Sequence, residues 1–183
     1  MARVGYVEES AHPELADLIG RIRGARRGNL INVYRLLLLS PALAESWFFH
    51  NNAVRWKTEL DGRLRELVIL RVAHLAGASY VVNQHVPELA LAEGLTEAEC
   101  REVADWTHSA SFTPRERSAL AYADTMTRDV AVPDAVFAAL KEHFGERQIV
   151  ELTVLIGTYN MQTRVLRALD IDPEPHHRAN VPM

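Results

Sequence analysis

A carboxylate and an imidazole stand out in this sequence because nearly everything around them is apolar. The segment around Glu66 reads Leu64, Leu67, Val68, Ile69, Leu70, Val72 and Leu75, the composition of a helix buried on most sides. At about 100° per residue, Arg63, Glu66, Leu70, His74 and Gly77 fall within about an 80° stripe. An arginine, a glutamate and a histidine therefore share one face of an apolar helix. A carboxylate there is costly unless it is paired, hydrogen-bonded or turned to a cavity. Its ordinary reading is a local bond to Arg63 or to the end of the next helix. That next segment opens after Gly77 with Ser79 and Tyr80 and carries Asn83, Gln84 and His85 before Pro87. A proline at 87 frees the Asn83 carbonyl and bends the helix, so polar groups gather where backbone bonding is interrupted. Taken alone, His85 reads as a satisfied structural histidine. Taken with Glu66, it suits proton transfer, since an imidazole titrates near 6.5 and burial raises a carboxyl toward the operating pH.

Other chemistries find little support. Cys100 is the only cysteine, which excludes an internal disulfide, a CxxC redox pair and a multi-thiolate zinc site, and suits a reducing cytoplasm. At the start of a helix, Cys100 reads as a small apolar packing residue. His50, His74, His108 and His143 do not form a ligand-spaced set, so no metal is expected; His176-His177-Arg178 sits in the tail as an adventitious binder. Lys plus Arg number 20 against 24 Asp plus Glu, a net charge of −4, which offers no overall attraction to nucleic acid. No stretch approaches the roughly 20 apolar residues of a membrane span, and Met1 to Gly20, with Glu8, Glu9, Glu14 and Asp17, does not read as a signal peptide.

The elements that must position these groups are helices. Apolar residues recur at spacings of three and four, and alternating patterns with hairpin turns are absent, so the fold class is all-α, a compact multi-helix bundle. Thr96 with Glu99, and Thr113-Pro114 with Glu116, are capping-box starts, and Ser40-Pro41 places a capping hydroxyl before a first-turn proline. Gly94 and Gly145 stand where helix C-termini want a left-handed residue. Helices are placed at 13–24, 30–39, 41–56, 62–77, 79–93, 97–106, 114–128, 134–143 and 147–169. Residues 1–172 form one domain with its core motif at 60–100, and 173–183, rich in proline, form a flexible tail. Segments 62–76 and 147–161 share a faint repeat pairing Glu66 with Glu151. Arg21, Arg23, Arg26 and Arg27 read as cations at a helix C-terminus. Trp47, Phe48 and Phe49, with Trp56 beyond, cannot all face the core, so some line a subunit contact or a pocket.

The run Arg65-Glu66-Leu67-Val68-Ile69-Leu70-Arg71-Val72-Ala73, then Tyr80, then Asn83-Gln84-His85-Val86-Pro87, then Gly94-Leu95-Thr96 before Glu99, resembles the carboxymuconolactone decarboxylase family, which includes the alkylhydroperoxidase D-like proteins. In the peroxidase branch the pattern is E-x11-C-x2-C-x3-H. Counting from Glu66 puts Ala78, Val81 and His85 on those positions, so both thiols are missing. In the decarboxylase-like branch Tyr80 and His85 match, while Val81 and Val82 replace an acidic and an indole position. The resemblance implies an alkylhydroperoxidase D-like bundle, assembled as a homo-oligomer, commonly a trimer or hexamer. It also implies cofactor-free chemistry on a small organic acid or lactone, in which loss of CO2 or of a proton leaves an enolate.

The expected site is therefore Glu66 and His85 as the catalytic pair, with Arg71, Tyr80, Asn83 and His74 as substrate-binding residues. Arg71, Tyr80 and Asn83 are the candidates to stabilise an enolate oxygen. The expected function is a cofactor-independent lyase, a decarboxylase or related isomerase. A non-catalytic structural or ligand-binding oligomer is the alternative, and a thiol peroxidase is the third reading. Sequence leaves the substrate and the reaction subtype open.

Overall fold

The computed structural model describes residues 1–26 and 28–174. Among the described residues nine α-helices run in order: α1 (Ala16–Gly24), α2 (Asn32–Leu37), α3 (Pro41–Trp56), α4 (Gly62–Leu75), α5 (Ser79–His85), α6 (Glu97–Glu102), α7 (Pro114–Arg128), α8 (Asp134–Lys141) and α9 (Glu146–Ala168). No strand occurs among the described residues. The central element is α4, which packs on α5, α7 and α9. Every residue from Leu64 to Ala73 is buried, which explains why this helix has almost no polar face: neighbours cover it all round. The pairing of 62–76 with 147–161 joins two helices that touch, but Glu66 enters the core while Glu151 stays beside Arg147 at the rim.

Local chemistry fixes most boundaries. The Asp61 carboxylate accepts from the Leu64 amide at 2.8 Å and caps α4. Both expected capping boxes form, at Thr96 with Glu99 and at Thr113 with Glu116. Between α4 and α5 the chain reverses at Gly77, whose φ is 60°. There Gly77 donates to the His74 carbonyl and Ala78 to the Ala73 carbonyl, at 3.1 and 2.8 Å. This paired C-terminal motif requires a left-handed residue, for which glycine alone has no penalty. The turn sets α5 back along α4 and so brings His85 to Glu66.

Several expectations are corrected. Ser40 precedes α3, but its hydroxyl makes no capping bond. Gly145 is not a left-handed terminus: its φ is −72° and it is the N-cap of α9, because the link from α8 is so short that the residue after the turn must already start the next helix. The helix drawn over 79–93 ends at His85 and continues as a π turn, Val86–Ala90, since Pro87 has no amide to donate. The one drawn over 97–106 tightens to a 3-10 turn at Val103–His108. In the aromatic run Phe48 is buried, Trp47 partly so, and Phe49 and Trp56 are exposed. Glu174, expected in a loose tail, is buried and accepts from the Asn32 amide at 2.7 Å and the Tyr80 hydroxyl at 2.8 Å. The remaining tail, with His176, His177 and Arg178, lies outside the described residues, as does Arg27 of the basic cluster.

Candidate active site

Glu66 is fully buried on α4, and His85 is 6% exposed at the end of α5. Their side chains meet: His85 Nδ1 lies 2.6 Å from Glu66 Oε2. The other glutamate oxygen, Oε1, is 3.4 Å from Arg65 Nε and 3.6 Å from Arg55 Nη2. Two guanidinium groups thus flank the carboxylate on the side away from the imidazole. The alternative local bond from Glu66 to Arg63 does not form, because Arg63 is held by Glu99 and Glu116 at 2.5 and 2.7 Å. On its outer side His85 Nε2 is 3.3 Å from the Tyr159 hydroxyl, which comes from α9.

These contacts decide the protonation states. Burial pushes the Glu66 carboxyl up, but the His85 hydrogen bond and the charges of His85, Arg55 and Arg65 outweigh it and hold the group below the usual carboxylate range. Burial depresses His85, and the Glu66 charge opposes that depression only in part. The His85 hydrogen bond together with the flanking Arg55 and Arg65 charges holds Glu66 ionised, and burial favours a neutral ring. Tyr159 is pushed up by burial to about 12 and stays protonated. The consistent arrangement is Nδ1–H donating to Glu66, with the Nε2 lone pair accepting from Tyr159.

The dyad opens on a cavity of about 230 Å³ lined by residues of α3, α5 and α9 together with Arg26 and Glu174. His85 and Tyr159 are in its wall, and Tyr80, Val81, Trp47 and Trp56 supply aromatic and apolar surface. Arg55 is also in the wall, 3% exposed, with its guanidinium 4.5 Å from the Trp56 ring centroid. Arg65 stacks near the same ring at 4.7 Å. Asn51, donating to the Trp47 carbonyl at 2.9 Å and accepting from Gln162, ties α3 to α9 behind the cavity.

The expected binding residues divide. Tyr80 lines the cavity, but its hydroxyl is spent on Glu174. Arg71, His74 and Asn83 are not in the wall. Arg71 instead grips Asp124 with two bonds of 2.5 and 2.7 Å and donates to the Val103 and Ala104 carbonyls. One helical turn and more from Glu66, it points across α4 toward α7, so it joins helices and does not meet a ligand. His74 packs at the Cys100 backbone; burial lowers its basicity and the nearby Arg71 charge adds to that, while the Cys100 contact opposes it. Cys100 is 1% exposed, pushed up to about 11 by burial, and away from the cavity. The valine that replaces one peroxidase thiol position, Val81, is in the wall, and Ala78, on the other, is buried beneath it. Among the described residues no group of three or more His, Cys, Asp or Glu is placed to hold a metal, and no helix is long and apolar enough to cross a membrane.

Arg55 and Tyr159 escaped the sequence reading. Their signal is visible afterwards: Trp47, Asn51 and Arg55 recur every four residues on α3, and Tyr159, Gln162 and Leu166 recur at three and four on α9, each giving a polar group inside an otherwise apolar stripe.

Residues 41–125 match the family model described as Carboxymuconolactone decarboxylase family. That match takes in the segment that holds Arg55, Glu66, Tyr80 and His85, whose motifs resemble the same family. The chain is 34% identical over 118 residues to the uncharacterised protein YnjA of Escherichia coli (strain K12), a match spanning 64% of this chain and 64% of YnjA. Its fold is that of an alkylhydroperoxidase AhpD core, a peroxidase-related protein of Ralstonia eutropha JMP134, with a TM-score of 0.82, 21% identity, and 96% and 94% of the two chains covered. The debrominase Bmp8 aligns with a TM-score of 0.80 at 20% identity, covering 96% of this chain and 94% of its own. At those identities the two likenesses establish a shared fold.

Proposed function

We propose that this chain, with a carboxymuconolactone decarboxylase family segment at its centre, is a cofactor-independent lyase acting on a small carboxylated lactone or keto acid. Decarboxylation, or a related enolate-forming elimination or isomerisation, is the reaction class. The observation that supports it most is the 2.6 Å bond between buried Glu66 and buried His85, with the free face of the imidazole at the cavity wall. A neutral imidazole whose Nδ1–H is fixed on a carboxylate offers Nε2 as a general base. It takes the proton from a carbon next to a carbonyl, the C–H electron pair becomes the enolate, and Glu66 stabilises the imidazolium. In the decarboxylating variant the C–C bond to the carboxylate breaks, its electron pair becomes the enolate, CO2 leaves, and the enolate carbon takes a proton from water relayed through His85 Nε2. For either route the Tyr159 hydroxyl, which donates to Nε2 at 3.3 Å in the resting site, turns to the substrate oxygen, which frees Nε2 and gives the developing oxyanion a donor in place of Arg71 and Asn83.

The thiol route has no support in the site, since Ala78 and Val81 stand on the cysteine positions and Cys100 is remote from the cavity. A screen for CO2 release and ultraviolet change across unsaturated lactone acids and β-keto acids tests the proposal. With a turned-over compound, His85→Ala is expected to lower kcat roughly 10² to 10⁴-fold with a smaller change in apparent affinity. A folded His85→Ala protein that keeps the wild-type rate would overturn the assignment. Ligand binding without turnover of any compound in the panel would favour a binding oligomer of the same fold.

A further inference from the structure

Several buried side-chain nitrogens have no hydrogen-bond partner, among them Arg26 Nε, Arg55 Nε and Nη2, and Gln84 Nε2. All three of these residues line the cavity beside His85. Buried donors without acceptors are costly, and proteins leave few of them without a reason. Arg55 is the extreme case. It is 3% exposed, its nearest carboxylate oxygen is Glu66 Oε1 at 3.6 Å, beyond hydrogen-bond range, and its other contact is the face of Trp56. The guanidinium is thus held in place by charge and stacking, while its buried Nε and Nη2 have no hydrogen-bond acceptor.

We infer that Arg55 is the anion anchor of the cavity, binding the carboxylate of a small planar organic acid between itself and the aromatic wall. A planar guanidinium presents paired N–H groups that match a carboxylate, and Arg26 and Gln84 add donors along the same wall. The position also fits the reaction. The two oxygens of one glutamate reach Arg55 and His85, so an acid anchored on Arg55 places its neighbouring carbons within one short molecule of Nε2. The Glu174 carboxylate, also in the wall, is already held by the Tyr80 hydroxyl and the Asn32 amide. The inference deepens the proton-transfer reading and rests on it for the anchor's purpose, but binding tests it separately.

The probe is benzoate against its uncharged isostere benzamide, titrated into the full chain and followed by Trp47 and Trp56 fluorescence and by calorimetry. Wild type is expected to bind benzoate at least about tenfold more tightly than benzamide, the range a charge-assisted pair supplies. Arg55→Gln is expected to lose that preference while keeping benzamide affinity, which also reports an intact cavity. Arg55→Lys should recover part of it, and His85→Ala should keep it within about threefold. Equal affinity of wild type for the two probes, or an unchanged preference in folded Arg55→Gln, would overturn the anchor. Should Arg55→Gln fail to fold, the wild-type preference and its loss in high salt decide the matter. Failure of the lyase reading would show differently, as retained benzoate binding with His85→Ala activity unchanged.

Discussion

Replacing Glu66 by glutamine probes the dyad and its cost together. The side chain is fully buried and touches His85 at 2.6 Å, Arg65 at 3.4 Å and Arg55 at 3.6 Å. Glutamine keeps the shape and removes the charge, leaving the Arg55 guanidinium without its anion, while Arg65 keeps Glu93 at 2.7 Å. Breaking a buried ion pair costs about 3–5 kcal/mol. At about 2–4 °C per kcal/mol for a chain of this size, Tm should fall by roughly 6–20 °C. The chemistry should change in a second, independent way. In the native protein the Glu66 charge and hydrogen bond raise His85 against the depressing effect of burial. Without them His85 becomes a still weaker base, so its titration moves to lower pH. Nitrogen-15 imidazole shifts measured from pH 4 to 8 give this directly, below the unfolding temperature. Wild-type His85 should titrate below its ordinary value of about 6.5, and the Glu66→Gln form lower still. The acid limb of any pH–rate profile should move the same way, with turnover lower at every pH. An unchanged His85 titration in a folded variant would refute the coupling, and an unchanged Tm would refute the buried pair.

Other outcomes follow from the same geometry. Stability should fall in acid: folded His85 binds a proton less readily than the unfolded chain, so its contribution is complete above about pH 6.5 and is lost as pH falls through the folded value, as denaturation midpoints between pH 4 and 8 would show. Arg71→Met should destabilise by about 1–3 kcal/mol, since Asp124 loses its two closest bonds and keeps Arg128 and the Trp106 indole, yet leave benzoate binding intact, in contrast to Arg55→Gln. Cys100→Ser should leave activity nearly unchanged and the protein should show no dithiol-dependent peroxide turnover; loss of activity in that variant would return attention to thiol chemistry. Leu39, Leu43, Val150, Val154 and Met161 are exposed on α3, α9 and the link before α3, and we propose that this apolar surface is covered in a homo-oligomer; light scattering at the 20.6 kDa monomer mass would refute that.

The sequence by itself determined the helices, because periodicity, capping boxes and a left-handed glycine are local signals that the backbone obeys wherever the segment sits. It also singled out Glu66 and His85 as a candidate pair on two consecutive helices joined by the Gly77 turn, while leaving Arg63 open as the glutamate's partner; the packing decided between them. The family motif added the missing thiols at 78 and 81. What only the tertiary structure decided is which cation faces the cavity. Arg55 and Arg71 are both buried arginines on apolar helices, and nothing local separates them. The difference is what packs opposite: α7 brings Asp124 to Arg71 and closes it off, whereas α3 lies across the mouth of α5 and α9 and leaves Arg55 open toward His85. The same holds for Tyr159 and Glu174, which reach the site from positions 74 and 94 residues away from their partners His85 and Tyr80. Contacts of that range depend on how the helices dock, and docking is set by the fit of whole faces. A pattern read within a single helix therefore shows that a polar group must be satisfied and leaves its partner to the packing.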